Sequence, residues 1–547
     1  MKFVSIFFTI LSLLFCSELY AQKDTAIKQS VTVISAYKPV LMNVAKINFS
    51  ATTLASDAVK EKLNYDIPDQ ALIYLYAPIT LKPLAFNVDT TLNFGNHFWV
   101  KAGFGNHTTP VLSAGACLRN KKELLVNVYG DYISSKGKIE NQNYSLFSLK
   151  GTGSYFFPKT EAYASLEMKQ RQFYLYGYNH DLYKYNKNEI SQQFQEMDFK
   201  AGFRNTKENT LNIDYDTKMQ FNYFTAKDAM NETTFRIDVP AEKKINDLFT
   251  LKVDAMFDLT NCTAKNIDSV NYDYHNNAAQ FSPSLIYQNS LYKINGGVNA
   301  IWDNGKLVIL PNIFGELKIK NFPFVLQGGF IGKLNKNTYR NLSYINPYLT
   351  ALKNQTNTLE TEYYAGLKTN LSNRIVASAK VAWVSYNNYQ FIINDTAATA
   401  DEKSFVLSNE DKVNNFKLHG NISYTIPGKL YATGGITLNA YAGMKANEKA
   451  WSTLPMECTA AVQWNALKKL VLKGDFYMFG GGHYLAKGNK SGSLKGGVDL
   501  SLGGEYKLTN KINAFADLNN IFGDKYQRWH NYPVYGICVL AGLIIRF

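Results

Sequence analysis

From Leu211 to Phe221 the chain is apolar at almost every second position. Leu211, Ile213, Tyr215, Met219 and Phe221 alternate with Asn212, Asp214, Asp216, Lys218 and Gln220. The same period returns where Phe416, Leu418, Ile422 and Tyr424 alternate with Lys417, His419, Asn421 and Ser423. It returns again where Val498, Leu500, Leu502 and Tyr506 alternate with Asp499, Ser501, Glu505 and Lys507. A period of two puts successive side chains on opposite faces, so each stretch predicts a β-strand with one apolar and one polar face. Strands in soluble domains are usually about 5–6 residues long. These runs are longer, and they match the roughly 9–11 residues that cross a bilayer at a tilt. In that setting the apolar face meets lipid and the polar face lines a wet interior.

The connections test this reading independently. Short polar turns fall at Arg119–Glu123, Phe157–Glu161, Asn205–Asn209, Ala241–Asp247, Tyr287–Lys293, Lys320–Phe324, Leu371–Arg374, Ile426–Lys429, Ala466–Lys469 and Leu508–Lys511. Between them lie mostly longer connections near 105–110, 135–143, 176–195, 222–232, 259–277, 302–306, 333–360, 388–404, 441–455, 480–493 and 520–534. Short turns at one end and long loops at the other are the pattern of an outer-membrane barrel. Ten turns and eleven loops join 22 strands and leave both chain ends on the inner side. The expected fold is therefore all-β: a single transmembrane antiparallel β-barrel of about 22 strands with a short N-terminal periplasmic or lumenal segment. Phe156, Phe157, Tyr287, Tyr292, Tyr424 and Tyr506 flank the short turns, as an interfacial aromatic girdle would.

Composition agrees. Aromatic residues make up 14% of the 547 residues and proline only 14 positions, which suits long strands. Past the N-terminus no apolar run approaches the roughly 18 residues of a membrane-spanning helix. At the N-terminus, Met1-Lys2 precedes an uncharged stretch from Phe3 to Cys16, and Ala21 supplies a small residue for cleavage. Residues 1–21 are read as a signal peptide, removed on export to the cell outer membrane. Bulky Phe15 before Cys16 argues against a lipidated cysteine. The other cysteines, Cys117, Cys262, Cys458 and Cys538, are too widely spaced for a zinc site and are expected in the wall or buried.

Few residues suggest chemistry. The seven histidines have no metal-ligand spacing, and no H-E-x-x-H or G-x-S-x-G motif occurs. His419 is expected to face the lumen beside Lys417. Gly480-Gly481-Gly482-His483 with Lys487, Lys490 and Lys495 lacks the following helix that a phosphate cradle needs, and reads as a flexible outer loop. Lys473, Asp475, Asp499, Glu505 and Asp517 should line the lumen, where they either bind a charged solute or pair with one another. No catalytic, metal or cofactor site emerges, so the chain is read as a non-enzyme. The net charge of +14 is spread over turns such as Lys243-Lys244 and Lys468-Lys469. Dispersed bases argue against nucleic acid, while basic turns beside a bilayer can meet anionic head groups.

The end of the chain resembles a known family. Asn520-Ile521-Phe522 with Tyr526, then Tyr532-Pro533 with Gly536, then Gly542-Leu543 to Phe547, is similar to the last two strands of TonB-dependent receptors. Asn346-Pro347-Tyr348-Leu349 followed by Glu362, Gly366 and Lys368 is similar to a mid-barrel pattern of the same family. The resemblance covers residues 94–547 and implies a receptor-like barrel of 22 strands. It also implies that Leu543, Ile545 and Phe547 form the C-terminal signal read by the assembly machinery. Val31 to Ala36 resembles a TonB box, with Thr32, Val33, Ile34, Ser35 and Ala36 as its core. The family's plug needs about twice the length of residues 22–93, so that segment is expected to be periplasmic or lumenal without a full plug. The resemblance implies ligand capture and transport across the outer membrane. The alternative is a non-transporting barrel acting as a structural or assembly partner in an envelope complex. Expected partners are outer-membrane lipid, TonB or another envelope protein, and a small-molecule or peptide ligand.

Overall fold

Each alternating stretch is a strand, and the strands pair with their neighbours in chain order. The computed structural model describes residues 97–547 apart from 121–122, 268–269, 321 and 398–400. The signal peptide, the segment 22–93 and Thr32–Ala36 lie outside the described residues. The first strand, His97–Gly105, pairs antiparallel with the last, Cys538–Arg546, setting Trp99 opposite Arg546 and Gly105 opposite Leu540. That pairing closes the sheet and removes its edges. Between residues 270 and 288 one strand is written in two segments, Val270–His275 and Ala278–Gln288. Both pair with the same neighbour, Phe249–Ile267. With these counted together the wall is a closed antiparallel barrel of 22 strands.

The period-two pattern sorts the two faces. On the outside, Phe199 lies opposite Phe221, Phe221 opposite Phe235, and Phe235 opposite Leu259, all of them exposed. Exposed apolar rows of this kind are stable only against lipid. On the inside, charges pair across and along strands: Arg204 with Glu161 at 2.6 Å, Arg236 with Asp238 at 2.7 Å, and Lys368 with Glu316 at 3.4 Å. Glu161 and Lys368 are themselves buried, so their pairs chiefly offset the cost of removing these charges from water. All three pairs also leave the lumen wall locally neutral.

All ten expected turns lie at one end and all eleven loops at the other. Strand length, however, exceeds the membrane. The strands range from 8 residues (Ile512–Asn519) to 22 (Phe405–Ile426). In the longest, the outward residues are apolar at Phe416, Leu418 and Ile422, then polar at Asn414 and Lys412. Its upper half therefore stands in water beyond the bilayer. This corrects two expected loops. Residues 222–232 hold only a tight turn, Lys227–Ala229, between strands ending at Ala226 and starting at Met230. Much of 259–277 is strand as well, reaching Ile267 and resuming at Val270. Polar residues that read as loop belong to walls whose outward neighbour is water.

Tyr535 is also corrected. In the sequence it falls in phase with Ile537, Val539, Ala541, Leu543, Ile545 and Phe547, which predicts one apolar face, yet it is buried, because the strand begins at Cys538. Val539, Leu543 and Phe547 do face outward, and Ile545 follows the same alternation. At the short-turn end Phe156, Phe157, Tyr292 and Tyr506 are exposed, and Tyr287 packs on Phe249 at 5.3 Å.

The outward position of Ile313, midway along Lys306–Lys318, gives a direct test. Ile313→Lys should cost about 2–4 kcal/mol of barrel stability in a bilayer, read as a lower urea midpoint for loss of the heat-modifiable band.

Candidate functional site

A closed wall of this size leaves an opening, and the loops fill it at the long-loop end. The principal element is the connection from Lys336 to Asn357. Thr338 starts a short helix there, Tyr339–Ile345, by accepting a hydrogen bond from Asn341 N at 3.1 Å. The helix stops at Asn346 because Pro347 follows and forces extended backbone before it. Asn346, fully buried, accepts from Tyr348 N at 2.9 Å and turns the chain back into the barrel.

Wall side chains above the bilayer hold this helix. The buried Glu232 carboxylate accepts from Tyr339 N at 2.6 Å and Arg340 N at 2.9 Å, satisfying two amides that the first turn leaves open. Glu196 accepts from Arg340 Nη1 at 3.0 Å and from Tyr344 Oη at 2.6 Å. Arg171 lies 3.7 Å over the Tyr344 ring and donates to Ser343 Oγ at 2.9 Å. Lys336 pairs with Asp258 and donates to Thr260 at 2.6 Å. Burial pushes its ammonium below the ordinary lysine range, with Asp258 opposing. Asn276, where the two-segment strand breaks, is fully buried and exchanges amide hydrogen bonds with Asn357 at 2.7 and 3.0 Å. The interruption frees its side chain to tie the loop to the wall.

Other loops meet this one in an aromatic cluster. Tyr348 stacks on Tyr532 at 3.8 Å, and Tyr176 meets Tyr532 edge-on at 4.8 Å. Phe405 packs on Trp529 at 5.6 Å. Burial raises the Tyr348 and Tyr532 phenols well above their ordinary pKa. Gly177 is required here, since a Cβ would lie 2.2 Å from the Tyr532 ring. Tyr176 Oη donates to Pro533 O at 3.0 Å and Gln142 Nε2 to the same oxygen at 2.8 Å. The result is a folded cap with its own core.

Between the cap and the wall lies a cavity of about 210 Å³. Tyr386, Tyr389, Tyr441, Trp451 and Trp529 form its aromatic side. Glu360, Lys417, Glu457 and Arg528 supply charge of both signs, with the Asn415 and Asn439 amides between them. Trp529 Nε1 is buried without a hydrogen-bond partner among the described residues, as is Gln390 Oε1, which also lines the cavity. An indole donor and an amide acceptor left open beside aromatic rings suit a compact ligand with polar groups on an apolar frame.

The residues singled out from sequence fare differently. Of the lumen charges, Asp517 lies 3.8 Å from Lys101, and Glu505 accepts from Arg546 at 3.0 Å. Asp499 accepts from Tyr526 at 3.2 Å. Asp517 and Glu505 pair with cations of the wall, whereas Asp499 is held by a loop tyrosine. His419 is lumenal, with Nδ1 2.9 Å from Thr437 Oγ1, a polar lining as expected. The stretch 480–493 is not a loose loop but carries a hairpin, His483–Ala486 with Lys490–Ser493. Gly481 and Gly482 approach backbone too closely for any side chain. The cysteines Cys117, Cys262, Cys458 and Cys538 are free thiols. Sequence reasoning missed Glu232, Glu196 and Arg171, which follow the same alternation as the lumen lining. The one available signal was the tyrosine density of the loops, as at Tyr176, Tyr178, Tyr183 and Tyr185.

No family model matches this chain. No curated protein matches it either. Solved structures do. The FrpB iron transporter of Neisseria meningitidis superposes with a TM-score of 0.63 at 10% identity, over 83% of this chain and 82% of that one. The siderophore receptor PirA of Pseudomonas aeruginosa gives 0.57 at 11% identity, over 83% and 79%. The PirA receptor of Acinetobacter baumannii gives 0.61 at 10%, over 83% and 80%. The barrel has the fold of these receptors. That is the TonB-dependent receptor-like fold anticipated from the terminal motifs, and at this identity the likeness is one of fold.

Replacing Tyr348 and Tyr532 together by alanine removes the central stack of the cap. Each truncation should cost the cap about 3–5 kcal/mol. Faster proteolysis within 336–357 and a raised single-channel conductance, with an unchanged heat-modifiable band, are the expected readouts.

Proposed function

We propose that this protein is an outer-membrane receptor-like barrel that captures a ligand at its loop end and admits it through the lumen. The observation that carries the reading is the folded cap with an aromatic, charge-lined cavity beneath it, in a barrel whose structural neighbours are named as iron and siderophore transporters and receptors. Another neighbour is a complex of FpvAI with pyocin S2. The ligand classes to try first are therefore ferric chelates and short peptides. Energy would come through TonB or another envelope protein engaging Thr32–Ala36 in the periplasm, after removal of residues 1–21. Residues 22–93 serve as the periplasmic or lumenal segment in this reading. Its supporting feature is the start of the first strand at the short-turn end. Capture and passage, not catalysis, is the chemistry proposed for the cavity.

Trp451 and Trp529 make the cavity its own reporter. Titrating the purified protein with ferric enterobactin, with other ferric chelates and with short peptides should quench tryptophan fluorescence for the cognate class. Trp529→Phe keeps the ring packing and removes the indole donor, so it should weaken that binding by about 1 kcal/mol. Deleting residues 22–40 should abolish uptake of the same labelled ligand without altering its binding. The reading is wrong if no ligand of either class quenches, or if the deletion spares uptake while a stable envelope complex falls apart. That second result would favour the structural-partner alternative.

A further inference from the structure

The short-turn edge of the barrel is not uniform. Four successive turns on the side formed by the later strands, at 371–374, 426–429, 467–469 and 507–511, carry Arg374, Lys429, Lys468, Lys469, Lys507 and Lys511. These turns contain no aspartate or glutamate. Among the described residues none of the six cations forms an ion pair, although the lumen charges a few residues away are extensively paired. The turns of the first strands differ: Lys207 stands beside Glu208, and Lys243 and Lys244 share a turn with Asp247, while the two turns between these arcs, 287–293 and 320–324, carry Lys293 and Lys320 without an acid.

Three of these four turns also expose a leucine. Leu371, Leu467 and Leu508 are 53%, 64% and 50% exposed, and Trp464 and Tyr506 face outward just above them. Leucine at a turn tip is unfavourable in water and favourable at the boundary between head groups and acyl chains. There the neighbouring lysines extend their stems along apolar surface and place their ammonium groups at phosphate level. Successive barrel strands advance by about 6 Å along the rim, so the four turns span an edge of roughly 45 Å. An acidic protein would be met by a compact cationic patch. A row of cations alternating with exposed leucines, drawn out along a bilayer edge, fits lipid instead.

We infer that this arc of the short-turn edge is a binding surface for anionic phospholipid head groups of the inner leaflet. The binding is electrostatic at the phosphate and apolar at the leucines, and it is independent of whatever ligand the cavity takes.

The full chain reconstituted in nanodiscs of mixed phosphatidylglycerol and phosphatidylcholine tests this, with native mass spectrometry reading the lipid retained. The wild type should retain phosphatidylglycerol preferentially, and less so at high salt. The variant R374Q/K429Q/K468Q/K469Q/K507Q/K511Q should lose that preference by at least about tenfold. A control set on the other arc, K159Q/K207Q/K243Q/K244Q, should keep it. The two-site variants K468Q/K469Q and K507Q/K511Q should each lose part of the preference, which covers a failure of the six-site variant to fold. The inference is overturned by equal retention of both lipids in the wild type, by an unchanged preference in the variants, or by an equal loss in the control set. Retention of an acidic envelope protein by the six cations, with lipid preference unaffected, would overturn it too. None of these results depends on the cavity binding a chelate.

Discussion

The constraint on which everything else rests is that hydrocarbon offers a peptide group no hydrogen-bond partner. Every N–H and C=O at membrane depth must then be paired within the wall, and only a helix or a closed sheet can do that. This chain has no helix among its described residues that is long and apolar enough to cross. In its sheet the first strand pairs with the last, from Trp99 opposite Arg546 to Gly105 opposite Leu540, and that pairing closes the wall. Closure fixes the rest of the design. With all strands antiparallel and side chains alternating, one face of each strand is committed to lipid and the other to the lumen. The phenylalanine row from Phe199 to Phe235 and the ion pairs behind it are two outcomes of that one geometric rule.

Closure also creates a difficulty that the wall cannot solve. A barrel of this circumference encloses more space than its own inward side chains can fill. At the long-loop end the strands run past the bilayer, and these extensions present Glu232, Glu196 and Arg171 to the incoming loop. Buried carboxylates are costly unless fully hydrogen-bonded. Glu232 meets that condition only when the helix Tyr339–Ile345 is docked, with two backbone amides as donors. Docking of the helix thus satisfies the buried carboxylate of the extension, and the extension in turn supplies the acceptor for two open amides of the helix.

The alternation of apolar and polar residues was enough to read the wall, because lipid on one side and water on the other impose it at each step. Turn positions were legible for a related reason: the strand must end where the bilayer does on the short-turn side. On the other side nothing in the pattern marks the boundary, since an outward residue above the membrane and a loop residue both face water. That is why Lys227–Ala229 was hidden inside a longer expected loop, and why the strand from Phe249 to Ile267 was read short. The cap was hidden for a second reason. Period two says which face Glu232 occupies, but not whether that face meets solvent or a docked helix. Tyr535 misled in the opposite sense, as an aromatic in phase with the last strand that is pulled away from it by the Tyr535 hydrogen bond to Gln142 O.

Two of the stretches that carry the receptor likeness, Asn346 to Leu349 and Tyr532-Pro533, are far apart in the chain and adjacent in space. Their contact is the Tyr348–Tyr532 stack at the centre of the cap. The cavity is lined by residues just before each of them, Leu342 and Ile345 on the helix and Arg528 and Trp529 on the last loop. Leu342 and Trp529, which line the cavity, lie only a few residues before the stacked Tyr348 and Tyr532. The cavity and the stack at the centre of the cap are therefore built from the same two short segments of chain, and a change that displaces either segment alters both.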